Sequence, residues 1–234
     1  MQYYYSTNIK ENRIKLPEEE SRHCIKVLRN KQDDIIFVTD GKGNLYEGKI
    51  IEPSAKACEI EIISLKYGEN NKSFKQHIAI APTKNTDRFE TFLEKATEIG
   101  IDEITPIVCE NSERDKVNTD RLNKIIISAM KQSLKIWLPK LNEIIFFKGF
   151  VEKKINAQKL IAYCQTDEGQ HLAGFCQKAK DVIILIGPEG DFSDDEINLA
   201  KQYAYYPVSL GKSRLRTETA GIVACSIINV INEI

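Results

Sequence analysis

Long hydrophobic runs are missing from this 234-residue chain. The apolar stretch Val182–Ile186 is far too short to cross a bilayer, because a membrane-spanning helix needs about 20 apolar residues. The start, Met1–Tyr5, lacks the basic and then apolar layout of a signal peptide. We therefore expect a protein without a membrane partner that works in the cytoplasm.

Histidine is scarce, and no C-x-x-C pair occurs. The 3 histidines show no metal-ligand spacing with the 6 cysteines. A disulfide framework is not expected in a chain of this length whose start does not resemble a signal peptide. We predict no metal site, and free cysteines that behave as small hydrophobic residues.

Neither sign of charge is in excess, since Lys and Arg total 33, Asp and Glu total 34, and the net charge is −1. A protein that coats nucleic acid without specificity is usually far more basic. However, the segments 21–31, 121–140 and 201–216 contain basic residues and no acid. One such run is commonly a solvated surface, but three of them favour a polyanionic partner.

The first part of the chain has the alternation of β-strands. The strand-like runs 34–39 and 45–51 flank a turn that contains Asp40-Gly41, which is a good hairpin signal, and 57–63 is a third run. We predict a small β-barrel domain over residues 1–70, followed by a polar linker at 67–73.

From Gln76 onward, short apolar runs alternate with helical segments. This order predicts an α/β domain over residues 74–234, with a mainly parallel sheet and helices on both of its faces. The predicted strands are 77–81, 103–108, 160–164, 182–186 and 207–210, and the predicted helices are 86–99, 119–137, 193–204 and 218–231.

A glycine-rich turn follows the buried strand 182–186. It runs from Gly187 to Phe192, and Ser193 with Glu196 forms a capping box that opens the next helix. Glycines at the carboxyl end of a buried strand let a ligand approach the backbone, although a plain strand-to-helix turn has the same pattern. Because G-x-G-x-x-G is absent, a nicotinamide-dependent oxidoreductase is a poor alternative.

A basic segment, Ser209–Ala220, precedes the final helix. Thr217 suits the N-cap of that helix, and Glu218 suits its positive end. Arg214 and Arg216 concentrate positive charge just before it, and two solvated arginines are the plainer interpretation.

Together, the two segments resemble the signature of the RsmE-type SPOUT RNA methyltransferases. That signature reads G-P-E-G-x-F-S-x-x-E, then L-G-x-x-x-L-R-T-E-T-A. Three further segments are similar to the family's H-x-x-x-V-L-R, K-A-T-E-L-G-V and Q-S-x-R…P motifs, namely His23–Arg29, Lys95–Ile101 and Gln132–Pro139. The resemblance spans nearly the whole chain in order.

The resemblance implies a PUA-like, RNA-binding β-barrel at 1–70 and a SPOUT trefoil-knot methyltransferase domain at 74–234. It implies S-adenosyl-L-methionine as the cofactor and a homodimer whose active sites each borrow from the partner subunit. The cofactor-binding residues that it implies are Ile186, Gly187, Pro188, Glu189, Gly190, Leu210, Gly211, Leu215, Thr217, Thr219 and Ala220.

The reaction implied by the resemblance is methylation of N3 of a uridine in 16S ribosomal RNA, on the assembled 30S subunit. Uracil N3 carries a proton at neutral pH, so the enzyme must remove it or stabilise the resulting anion. Arg216 is the predicted catalytic group that stabilises this anion. Glu218 is a candidate base or orienting group, and a role as partner of the helix dipole fits it equally well.

RNA contacts are predicted for Arg22, Lys26 and Arg29 in the barrel and for Lys124, Lys131 and Lys135 in the long helix. The alternatives are a SPOUT methyltransferase that acts on another RNA such as tRNA, and a non-catalytic RNA-binding module.

The departures from the family pattern include two single positions near the glycine-rich turn and the second predicted strand. Asp191 stands where the last glycine of G-P-E-G-G is usual, which brings a negative charge close to the cofactor loop. Asn111 stands at the arginine of the family's E-R-S motif, and Arg114 is a candidate replacement for that arginine.

Overall fold

A computed structural model describes residues 2–67, 72–164 and 170–233 of the chain. Its contacts divide the chain into unit 1, residues 1–71 and 127–138, and unit 2, residues 72–126 and 139–234. The segment 127–138, which the sequence assigned to the second domain, therefore groups with the first unit. Within the predicted linker 67–73, residues 68–71 lie outside the described residues.

Unit 1 is built on a six-stranded sheet in the order β1-β4-β5-β6-β3-β2. The pair β1–β4 is parallel and the other pairs are antiparallel. The strands are β1 Tyr3–Tyr5, β2 Ile9–Lys10, β3 Arg13–Lys15, β4 Ile35–Thr39, β5 Asn44–Glu52 and β6 Glu59–Tyr67; helix α1, Glu18–Arg22, leads into a π-helical turn, His23–Val27. The predicted hairpin and third strand are confirmed as β4, β5 and β6.

The core of unit 1 combines apolar side chains from most of its strands. Its buried members are Tyr4, Ile14, Leu16, Cys24, Ile36, Val38, Ile50, Cys58 and Ile60.

The segment 127–138 is attached to this sheet by backbone hydrogen bonds. The Gly43 amide donates to the Ile136 carbonyl at 2.9 Å, and the Leu138 amide donates to the Gly41 carbonyl at 2.9 Å. Gly43 has φ +93°, and a Cβ there would lie 2.2 Å from the Trp137 ring, so only glycine fits.

Unit 2 contains the remaining elements. Its strands are β7 Gln76–Ile80, β8 Glu103–Val108, β9 Lys140–Leu141, β10 Ile145–Phe146, β11 Gln158–Ala162, β12 Gln170–His171, β13 Val182–Ile186 and β14 Tyr206–Ser209. Its helices are α2 Thr86–Ile99, α3 Thr119–Gln132 (whose second half belongs to unit 1), α4 Phe147–Val151, α5 Leu172–Phe175, α6 Asp194–Gln202 and α7 Thr217–Glu233.

The unit 2 sheet has the strand order β10-β8-β7-β13-β11-β14-β12, with β9 paired to β8. All of its strand pairs are parallel. Every residue of β7 and β13 is buried, as expected for central strands that are covered on both faces. The predicted parallel α/β sheet is confirmed.

Helix α3 ends at Gln132, so the prediction that it continues to Trp137 is wrong. Leu134 has φ +55°, its amide bonds the Lys131 carbonyl at 3.1 Å, and the Lys135 amide bonds the Met130 carbonyl at 2.9 Å. These two bonds form a Schellman motif. Because no glycine or proline marks the stop, the apolar pattern alone did not reveal it.

Helix α7 packs closely on α2 and β7. A Cβ on Gly221 would lie 2.7 Å from the Phe92 ring and 2.9 Å from Ile80 Cδ1. This glycine therefore lets α7, which begins at the candidate site, lie directly against its neighbours.

All 6 cysteines of the chain are free thiols. Among the described residues, no helix combines the length and the apolarity that a membrane crossing requires, and no group of His, Cys, Asp and Glu side chains there is arranged to hold a metal ion.

Candidate active site

The carboxyl ends of three neighbouring strands lie at one edge of the unit 2 sheet. Ala162 at the end of β11 is in register with Ile186 at the end of β13 and with Val208 of β14. The strands therefore end side by side, at the edge where open parallel sheets bind ligands.

The loop after β13 turns directly into α6. A Cβ on Gly187 would lie 3.2 Å from the Phe192 ring, so a larger residue would crowd the turn. The capping box predicted from the sequence is present, because Ser193 Oγ accepts from the Glu196 amide and Glu196 Oε2 accepts from the Ser193 amide.

Two neighbouring loops support this turn. Asn111 Nδ2 donates to the carbonyls of Gly190 and Asp191, at 3.3 and 3.1 Å, and a Cβ on Gly190 would lie 2.9 Å from Asn111 Cβ. Glu189 Oε1 accepts from the Lys84 amide at 3.0 Å. Asn111 thus acts as a backbone clamp at the position where the resemblance implies an arginine.

Arg114 does not take over that contact with the turn. Its Nη2 donates to the Lys84 carbonyl at 3.0 Å, and its Nε is buried with no hydrogen-bond partner in the described part of the chain.

Both motif loops line a cavity of about 250 Å³. The lining includes Ile186 to Glu189, at the end of β13 and in the turn after it, and also Arg214 to Thr217 and Ala220. A cavity of about 890 Å³ adjoins it, because Ala162, Tyr163, Cys164, Asp191, Arg214, Leu215 and Ala220 line both. Volumes of this size suit a small organic ligand.

Most of the residues predicted to bind a cofactor meet at these cavities. Ile186, Gly187, Pro188, Glu189 and Thr217 line the smaller one, Gly190, Leu210 and Gly211 line the larger one, and Leu215 and Ala220 line both. Thr219 lines neither cavity.

The two predicted catalytic residues flank Thr217, the first residue of α7: Arg216 precedes it and Glu218 follows it. Arg216 is exposed and lines the smaller cavity. The Ala220 amide donates to the Arg216 carbonyl at 2.7 Å, and α7 begins at Thr217, so Arg216 is the N-cap and the prediction that Thr217 caps this helix is wrong.

Glu218 is buried and lines neither cavity. Its Oε1 lies 3.9 Å from Arg88 Nε of α2, and its Oε2 has no hydrogen-bond partner among the residues that the structure describes. The carboxylate therefore contacts the α2 side of the helix.

The sequence interpretation missed Ala162, Tyr163 and Cys164, which line both cavities. The signal was available, because they form the end of the predicted strand 160–164, and another predicted strand of the same parallel sheet leads into the glycine turn. Partial burial and the negative charge of Asp191 raise the pKa of the Cys164 thiol.

The residues predicted to bind RNA are divided between the two units. Arg22, Lys26 and Arg29 are exposed on α1 and around the π-helical turn of unit 1, and Lys124 is exposed on the part of α3 in unit 2. Lys135 is half-buried after the end of α3. Lys131 forms an ion pair with Glu20 of α1, with side chains only 20% and 11% exposed.

Comparisons with known proteins match nearly the whole chain. A family described as the RNA methyltransferase domain matches residues 70–229, and one described as the RNA methyltransferase PUA domain matches residues 16–63. A ribosomal RNA small subunit methyltransferase E from Mesomycoplasma hyopneumoniae (strain 232) is 31% identical over 94% of this chain and 96% of its own length.

Two solved structures are also similar over nearly their full lengths. A probable rRNA-methyltransferase from Porphyromonas gingivalis has a TM-score of 0.92 and 39% identity, covering 100% of this chain and 99% of its own. The putative methyltransferase Lpg2936 from Legionella pneumophila, solved with the bound cofactor SAM, has a TM-score of 0.88 and 28% identity, covering 99% and 97%. The chain therefore belongs to the family of ribosomal RNA small subunit methyltransferase E, with a PUA domain followed by an RNA methyltransferase domain.

Proposed function

We propose that this RNA methyltransferase transfers a methyl group from S-adenosyl-L-methionine to N3 of a uridine in 16S ribosomal RNA. The observation that carries the proposal is the cavity that both motif loops share at the carboxyl ends of β11 and β13.

The cavities suit this cofactor. Gly187 and Gly190 contribute to the lining, while Ile186, Leu215 and Ala220 provide apolar walls. When bound there, the cofactor supplies a methyl group that is already activated on a sulfonium, so no metal is required for the transfer. We propose cofactor binding for the other motif residues that line these cavities on the same grounds.

Arg216 is the residue that we assign to the reacting base. It lies in the cavity wall at the start of α7, where the helix dipole adds partial positive charge. Loss of the N3 proton leaves uracil with a negative charge spread over O2, N3 and O4, and a guanidinium with five donors stabilises such an anion. The target base must leave its stack to reach this wall.

We assign Glu218 a positioning role. Its contact with Arg88 holds the first turn of α7 against α2, and this fixes the residue that precedes it, Thr217, in the cavity wall.

RNA binding is proposed for the exposed cations Arg22, Lys26 and Arg29 of unit 1 and for the cations of the α3 region, Lys124, Lys131 and Lys135. Lys131 contributes less to this set, because its ion pair with Glu20 already offsets its charge. We also propose that the protein acts on the assembled 30S subunit as a homodimer in the cytoplasm.

The test is methyl transfer from labelled cofactor to three acceptors: 30S subunits, 16S ribosomal RNA and tRNA, all from a strain that lacks the gene. We expect 3-methyluridine in 16S ribosomal RNA, found by mass spectrometry of nucleosides, with 30S subunits as the best acceptor. Arg216→Ala should lose at least about 100-fold in rate, and Arg216→Lys should recover part of it. Label in tRNA alone would support the alternative substrate, and cofactor binding without transfer to any RNA would indicate a non-catalytic module.

A further inference from the structure

Asp191 occupies an unusual backbone position in the loop after β13. Its φ is +64°, in the left-handed region that side chains other than glycine, asparagine and aspartate seldom adopt. The strain is offset by two hydrogen bonds, because Oδ2 accepts from the Cys164 amide at 2.9 Å and Oδ1 accepts from the Phe192 amide at 2.8 Å. The carboxylate thus joins the end of β11 to the loop after β13.

The same residue lines both cavities. Among the described residues, the cations that line them are Lys212, Arg214 and Arg216, all exposed, and the other carboxylate in the lining is Glu189, whose Oε1 is bound by the Lys84 amide. Within this part of the chain, a cationic ligand that enters the cavities meets three positive side chains and two negative ones. The Cys164 thiol lies in the cavity wall, and its pKa is raised first by partial burial and then by the negative charge of Asp191.

We propose that Asp191 makes this cavity prefer the cationic sulfonium of the cofactor over the neutral thioether that remains after methyl transfer. This inference rests on the proposed binding of the cofactor in the cavity. A fixed negative charge stabilises the sulfonium and gives nothing to the thioether. This electrostatic attraction is therefore lost when the methyl group leaves, and its loss favours release of the thioether product.

Backbone geometry alone does not require an acid here. Glycine adopts this φ without strain, and asparagine tolerates it and keeps an oxygen that can accept from the Cys164 amide. Relative to either residue, aspartate adds the negative charge and at least one further acceptor oxygen, because its Oδ1 and Oδ2 accept from the amides of Phe192 and Cys164.

The test uses isothermal titration calorimetry on the full-length protein and on the variants Asp191→Asn and Asp191→Gly. The ligands are S-adenosylmethionine, the thioether S-adenosylhomocysteine, and sinefungin, in which an amine replaces the sulfonium and keeps the positive charge. Asp195→Asn is the matched control, because it removes the same net charge from an exposed residue that lines neither cavity. Thermal melting confirms that each variant is folded.

In both Asp191 variants, we expect the affinity for S-adenosylmethionine relative to S-adenosylhomocysteine to fall about tenfold, a difference of about 1.4 kcal/mol. Sinefungin should follow S-adenosylmethionine, and Asp195→Asn should keep the ratio of the original protein. An equal weakening of all three ligands in Asp191→Asn would show that the residue acts only through its hydrogen bonds, and an unchanged ratio would equally overturn the proposal.

This readout is independent of the RNA substrate. If the original protein methylates another RNA while the Asp191 variants lose their ligand preference, the proposed substrate fails and the role of Asp191 stands. If 3-methyluridine forms in 16S ribosomal RNA and the preference is unchanged in the variants, the reverse holds.

Discussion

Replacement of Glu218 by Gln separates a positioning role from a role as the base. The change removes the charge but keeps the shape of a side chain that is 11% exposed. Two unit charges about 4 Å apart attract by about 4 kcal/mol at an effective dielectric constant of about 20. Since the Arg88 side chain is 40% exposed, we discount this attraction to about 1 kcal/mol.

The dipole of α7 adds about 0.3–1 kcal/mol for a carboxylate in its first turn. Glu218→Gln should therefore cost about 1–2 kcal/mol of folding free energy, which lowers the melting temperature by about 2–8 °C in a protein of this size. Methyl transfer should slow by less than about tenfold, whereas loss of a general base costs about 100- to 10,000-fold.

The assay is single-turnover methyl transfer to 30S subunits between pH 6 and pH 10, combined with thermal melting. Arg88→Gln is the matched control, because it breaks the same ion pair without altering the candidate base. We expect both variants to melt earlier and to keep the pH profile of the original protein. A loss of 100-fold or more in Glu218→Gln alone, with the acidic limb of the profile abolished, would refute this reasoning and restore Glu218 as the base.

Three further predictions concern packing and electrostatics within the two units. Gly221→Ala places a methyl 2.7 Å from the Phe92 ring. Because overpacking exceeds the gain in helix propensity, urea denaturation should show that the free energy of unfolding falls by about 1–2 kcal/mol. A more stable variant would contradict the close packing. Burial lowers the pKa of His77 to about 4, below its unfolded value of 6.5, so stability present above pH 6.5 is lost as the pH falls towards 4. Urea denaturation should show that the free energy of unfolding falls by about 2 kcal/mol between pH 7 and pH 5. His77→Gln should reduce this difference. An equal pH dependence in the variant would show that other groups cause the loss. Lys131→Ala removes the ion-pair partner of buried Glu20 in unit 1 and should lower the melting temperature. Arg22→Ala changes an exposed residue and should leave the melting temperature unchanged. It should reduce the slope of the logarithm of RNA affinity against the logarithm of salt concentration by about 1. The opposite pattern in these two variants would exchange the roles of the two cations.

Local patterns in the sequence carried most of the secondary structure of unit 2. The apolar stripe and terminal glycine of α2, and the unbroken apolar run of β13, match their predicted limits, because one face or both faces of each element are buried. The short strands β1, β2 and β3 were not predicted, since two or three residues are too few to show a period. The end of α3 also escaped prediction, because Leu134 adopts a left-handed conformation that usually marks a glycine.

The sequence by itself indicated the family, the parallel sheet and the two loops that line the cavity, because motif residues, glycine turns and the alternation of strands with helices can be read along the chain; the order of the strands in the sheet came from the structure. Only the tertiary structure showed which partners the charged residues of the predicted sites contact. Glu218 contacts Arg88 outside the cavity lining, Lys131 pairs with Glu20, and Asp191 bonds the amide of Cys164. Each of these contacts joins residues that are far apart in the chain, and partners brought together by packing leave no periodic or local trace in the order of the amino acids.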